Sequence, residues 1–113
     1  MGSRKWPTLK VIYTASALRE LDEIWDWNRG HYSEEHAEQY VKFLEDHIES
    51  LSTDRSRERQ VISRPNVNYI LMQRKSKRHG HVAVYRIFGG QIEILHVFHS
   101  AQDWQAKIAN DLD

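Results

Sequence analysis

"HVAVYRIFGGQIEILHVFHS", residues 81–100, is the stretch on which the fold turns. Two runs rich in β-branched and aromatic residues flank Gly89-Gly90. A glycine pair between such runs closes a tight antiparallel turn, because both central positions of that turn need positive φ. The expectation is a β-hairpin with arms over 82–88 and 92–99. Its arms are not purely apolar: Tyr85 and Arg86 lie on the first, His96 and His99 on the second. Strict alternation along the second arm puts Ile92, Ile94, His96 and Phe98 on one face and Glu93, Leu95, Val97 and His99 on the other. His96 then reads as a hydrogen-bonded core residue among large apolar neighbours, and His99 as an exposed residue at the strand end.

Outward from the hairpin, Asp103 or Ser100 starts a short terminal helix with Trp104 and Ile108 four apart on one side. Upstream, 69–74 reads as another strand, joined to the hairpin by the basic turn Lys75-Ser76-Lys77-Arg78-His79-Gly80. The region 52–67 shows no sustained periodicity and carries Pro65, and is expected to be a connecting loop. Before it stand two helical stripes. Ala17, Leu18, Leu21, Ile24, Trp25 and Asn28 recur at three and four residues, which predicts a helix over 15–30 ended by Gly30. Ser33 caps the next, over 33–52, with Glu34 and Glu35 in its first turn and Ala37, Tyr40, Val41, Leu44, Ile48 and Leu51 inward. The short gap between them predicts an antiparallel helical hairpin. A short strand over 9–13 precedes Thr14, which is placed to cap the first helix.

The predicted class is therefore α+β: an N-terminal strand, an antiparallel helical hairpin, then a three-stranded antiparallel meander forming one sheet, with a short C-terminal helix. One domain over 1–113 is expected, with 1–7 flexible. Leu21, Ile24, Leu44, Ile48, Val84 and Ile94 are expected to be buried between the helices and the sheet.

Composition narrows the function. With no cysteine among 113 residues the chain has neither disulfides nor thiolate metal sites. No apolar run approaches 18 residues, so a cytoplasmic protein without membrane attachment is expected. The formal net charge of zero conceals a polarised chain. Residues 20–54 hold eleven acids against Arg29 and Lys42, a balance of −9, and residues 55–78 hold eight bases against Glu58, a balance of +7. A fold that keeps these segments apart carries a positive surface for an acidic partner or polyanion. Arg74, Lys75, Lys77 and Arg78, with Trp27 off the apolar stripe, are the expected binding residues for a target or partner protein. His79-x-His81 and His96-x-x-His99 bring four imidazoles into one half of the sheet, but their alternation across strand faces does not converge on a tetrahedral site. No metal and no cofactor are expected.

"ALRELDEIWDWNRGHYSEEHAEQYVKFLEDHIESL", 17–51, followed by "GHVAVYRIFGGQIEILHVFHSAQDW", 80–104, resembles the RelE/ParE toxin superfamily of bacterial type II toxin–antitoxin systems, and its pattern is closest to ParE-type members. The resemblance implies the architecture above. It also implies a cognate antitoxin, growth inhibition through DNA gyrase by binding, and a homodimer or a toxin–antitoxin heterotetramer. RelE-type relatives instead cut ribosome-bound messenger RNA without metal, which requires cations on the scissile phosphate and acid/base groups around it. Arg86, His96, His99 and Tyr85 are the residues that chemistry would use here. With His96 in the core and His99 in the C-terminal turn, they are not expected to assemble. His96 and Gln102 stand where ParE-type members usually have arginine. An interaction module without toxicity is a third class compatible with the same residues.

Overall fold

The computed structural model describes residues 6–74 and 79–111. Its elements run β1 (Lys10–Tyr13), α1 (Ala15–His31), α2 (Glu34–Ser50), β2 (Arg59–Val61), β3 (Arg64–Met72), β4 (His81–Phe88), β5 (Gln91–His99) and α3 (Trp104–Asp111). One five-stranded sheet has the order β1-β5-β4-β3-β2. β1 joins β5 in parallel and every other pairing is antiparallel. Gly89 and Gly90, at φ +59 and +76, make the turn the sequence predicts.

Both helices start where their caps dictate. The Thr14 hydroxyl accepts from the Ala17 amide and the Ser33 hydroxyl from the His36 amide, which satisfies donors that each first turn leaves open. Gly30 does not end α1 as expected. The helix continues to His31, and the cap falls on Tyr32, whose amide donates to the Asn28 carbonyl.

The stretch 52–67, expected to be a loop, contains β2 and the start of β3. β2 is a three-residue edge strand whose Arg59 and Gln60 are exposed and whose Val61 is buried, too short for its alternation to register in the sequence. Pro65 is tolerated because it lies where β3 overhangs β4, whose pairing begins at Asn68; the missing N–H removes no central ladder bond. β3 stops at Met72 rather than 74, so Arg74 lies beyond the strand.

The sheet is covered on both faces. Leu21, Leu44, Ile48, Met72, Tyr85, Ile92 and Ile94 form the cluster beneath the helical hairpin, with Ile24 partly buried against it. Val61, Val67, Val82, Val84, Phe98, Trp104 and Ile108 form a second cluster under α3. Val84 is thus buried, but on the opposite face from the one expected. Leu18, expected on the stripe of α1, is half exposed.

One irregularity sets the geometry of the sheet end. Tyr85 pairs with Ile94 but Val84 pairs with His96, which leaves Leu95 as an extra residue in β5. This β-bulge inverts the alternation beyond it. Val97 joins Ile92 and Ile94 in the first cluster, while Leu95 and Phe98 turn to the second.

Candidate functional site

A concavity of about 700 Å³ opens at the sheet end where β3 finishes, β4 begins and β5 finishes, beneath the tip of the helical hairpin. α1 contributes Glu20, Glu23 and Trp27; α2 contributes His36 and Tyr40; the strand ends contribute Arg74, His79, His81 and His99; and α3 contributes Lys107. Gly80 brings the strand ends together. A Cβ at that position would overlap the Met72 carbonyl, so the chain passes at a distance only glycine allows. Reciprocal bonds between Gly80 and Ser100, each 2.9 Å, hold it against the end of β5.

The polar centre of the cleft is a chain of rings. The Tyr40 hydroxyl lies 2.6 Å from Nδ1 of His81, and the His81 ring meets His99 edge to face, 5.1 Å between centroids. His79 stands 6.0 Å from His99. The backbone amide of Ala101 donates to Nδ1 of His99, which fixes the ring proton on Nε2. The His99 amide in turn donates to Gln102, so His99 orders the turn into α3. Burial, with the neighbouring His99 adding to it, holds the His81 imidazole down to about 4, so it is neutral at pH 7. Burial also raises the Tyr40 phenol, against the opposing pull of the Arg74 guanidinium. Arg74 lies 5.1 Å from the Tyr40 ring and 5.2 Å from that of Phe43.

His96 belongs to the α1 wall rather than to the core. Beyond Ile94, β5 has no strand on the β1 side among the described residues, and the N-terminal half of α1 covers that edge. Thr14 donates to the carbonyls of Ile94 and Leu95. The Glu20 carboxylate accepts from the Val97 amide at 2.9 Å and lies 3.0 Å from Nδ1 of His96. The expected apolar surroundings of His96 fail because the bulge removes it from the face of Ile92 and Ile94; its ring neighbour is Phe98, stacked at 4.8 Å.

The family model described as "ParE toxin of type II toxin-antitoxin system, parDE" matches residues 11–104. The chain belongs to this family. Its fold is similar to a chain of the chromosomal ParDE TA system from P. aeruginosa, with a TM-score of 0.69 at 20% identity over 81% of this chain and 96% of that one. No curated protein matches it.

Of the binding residues expected in this ParE toxin, Arg74 and Trp27 line the same cleft, although 47 positions separate them in sequence. Trp27 is 54% exposed and stacks on His31 at 3.9 Å. Lys75, Lys77 and Arg78 lie outside the described residues. The residues named for RNA cleavage scatter. Tyr85 is fully buried and donates to Glu58 at 2.6 Å; burial, reinforced by that carboxylate, raises its phenol. Arg86 pairs with Glu93 at 2.6 Å near the hairpin turn. Arg86 lies five positions along β4 from His81, roughly 16 Å of strand. Only His99 of that set reaches the cleft.

A different set, Tyr40, His81, His99 and Arg74, does gather in the cleft. The hairpin held a signal for this. Counting back from Gly89-Gly90 in an unbulged ladder sets position 81 opposite Phe98, and the extra residue moves it to His99. Tyr40 sits on the predicted inward stripe of α2 but carried no mark of its partner, because a contact across 41 residues is a tertiary fact. Among the described residues no group of three or more potential ligands is placed to hold a metal, and no helix is long and apolar enough to cross a membrane.

Proposed function

We propose that this ParE toxin stops growth by binding DNA gyrase rather than by cutting RNA, and that a cognate antitoxin neutralises it. The observation that carries this reading is the dispersal of Tyr85, Arg86 and His99 over one buried and two exposed places at opposite ends of β4 and β5. A phosphate-cleaving site has to hold its cations and proton-transfer groups on one reacting atom, whereas an inhibitor that binds needs only a complementary surface. Arg74 and Trp27 supply a cationic and an aromatic group of such a surface. The assembly expected is a homodimer of the toxin or a toxin–antitoxin heterotetramer, which light scattering of the toxin and of the co-purified complex distinguishes.

One observation favours a second reading, ribosome-dependent cleavage of messenger RNA. Tyr40, neutral His81, His99 and Arg74 share an open cleft, and those residue types suffice for acid/base work on a phosphodiester. Two assays on one preparation separate the readings. Gyrase supercoiling blocked by the purified toxin and restored by antitoxin, with ribosome-bound messenger RNA intact, supports binding. Codon-periodic cleavage lost on His99→Ala and His81→Ala, with supercoiling unaffected, replaces it with the nuclease.

A further inference from the structure

We infer that the cleft at the sheet end is a binding site for a nucleoside phosphate, its phosphate held by Arg74, His99 and Lys107 and its base laid on Trp27. The inference does not depend on which macromolecule the toxin arrests. Its first support is a pair of uncommitted cations. Among the described residues neither Arg74 nor Lys107 forms an ion pair with a carboxylate; each is instead steadied over an aromatic ring, Arg74 over Tyr40 and Lys107 5.3 Å from Phe98. A cation positioned by a ring keeps its N–H donors for a ligand. His99 adds a third donor, since its Nδ1 is occupied by the Ala101 amide and Nε2–H has no partner within the chain among the described residues.

The second support is the asymmetry of the walls. The strand ends and α3 carry cations, whereas α1 brings Glu23 and the exposed indole of Trp27 to the same space. The His31 ring braces that indole from behind, and Nδ1–H of His31 donates to the Trp27 carbonyl at 2.8 Å, so a stacking plate is preformed rather than assembled on binding. Glu23 repels an anion from the α1 end and accepts hydrogen bonds from an exocyclic amine. The ligand this arrangement fits has one anionic end and one planar end bearing N–H donors. A volume of about 700 Å³ accommodates a mononucleotide. An acidic peptide satisfies the cations but leaves the aromatic plate and Glu23 without a counterpart.

The same chemistry occurs in a free nucleotide and in an unpaired residue of a nucleic-acid strand, so the test has an arm for each. Purified full-length toxin is titrated calorimetrically with adenosine monophosphate, inorganic phosphate, adenosine and a single-stranded oligoadenylate. Saturable binding of the monophosphate is expected, with phosphate and adenosine each at least roughly tenfold weaker because each fills only one wall. Arg74→Gln and Trp27→Leu should each weaken it about fivefold or more, at an unchanged unfolding midpoint, and Lys42→Gln on the exposed face of α2 should not. An oligonucleotide more than about tenfold tighter than the monophosphate assigns the site to a strand; equal affinity assigns it to the free nucleotide. The proposal is overturned if neither monophosphate nor oligonucleotide saturates, if phosphate alone binds as tightly as the monophosphate, or if both variants bind like the parent.

Discussion

The hydroxyl of Tyr40 on α2 and Nδ1 of His81 at the start of β4 stand 2.6 Å apart, a bond between helical hairpin and sheet that buries the imidazole where a positive charge is poorly solvated. His81 is held down to about 4 in the folded chain, below the ordinary value of about 6.5. Between those values the unfolded chain binds a proton that the folded chain refuses. Stability from this site is therefore complete above about pH 6.5 and is lost as pH falls towards 4. The loss should be on the order of 1–3 kcal/mol. Denaturant unfolding at pH 7, 5.5 and 4.5 measures it, and His81→Asn should flatten the slope across that window. An equal slope in parent and variant would place the acid sensitivity elsewhere.

Glu20 acts as a surrogate strand at the open edge of β5. Its carboxylate takes the Val97 amide, which among the described residues has no ladder partner on that side. Glu20→Ala should cost about 1–2 kcal/mol, because a partly buried N–H loses its acceptor. Glu20→Gln keeps a carbonyl oxygen for Val97 and should cost less than half as much. Amide exchange at Val97, accelerated in the first variant and slower in the second, distinguishes a lost acceptor from a general loosening.

Leu44 and Trp104 test the two faces of the sheet separately. Leu44 is fully buried under the helical hairpin, and Trp104 packs beside Tyr69 under α3, 4.6 Å between ring centroids. Leu44→Ala should lower stability by about 2–5 kcal/mol and Trp104→Ala by about 3–5 kcal/mol. Because the clusters lie on opposite faces, the double variant should show nearly additive losses. Strong non-additivity in equilibrium unfolding would mean that the two clusters act as one.

Charge reversal bears on the antitoxin. Lys77→Glu together with Arg78→Glu should slow toxin–antitoxin association and flatten its dependence on salt, since the toxin's own acids are concentrated in 20–54. Stopped-flow association at two ionic strengths reads this directly. Rates that match the parent at both would remove 75–78 from the encounter surface.

Much of this architecture was legible because its signals are local. Thr14 and Ser33 announce helices, and Gly89-Gly90 announces a hairpin, through chemistry within four residues of each. What escaped is what depends on distant chain. β2 exists as a strand only by pairing with β3, and Val84 lies under α3 rather than under α1 because the sheet has two covered faces. The candidate site was half legible for the same reason. Arg74 and Trp27 declared themselves by type and exposure, whereas His81, flanked by Gly80 and Val82, looks like an ordinary strand residue until its neighbour across 41 positions is known.

The extra residue at Leu95 makes the sheet end sensitive to parity. Removal of that single position would set His96 directly after Ile94 in plain alternation, still opposite Val84, and the pairs Ala83–Val97, Val82–Phe98 and His81–His99 would survive on their present faces. Flattening the ladder with every residue kept would do the reverse: His81 would face Phe98, and each side chain from His96 to His99 would exchange sides. A deletion at 95 is therefore expected to preserve the cleft, whereas a deletion at 97 or 98 is expected to dismantle it. In an alignment, a gap at 95 would be compatible with this cleft and a gap two or three positions later would not.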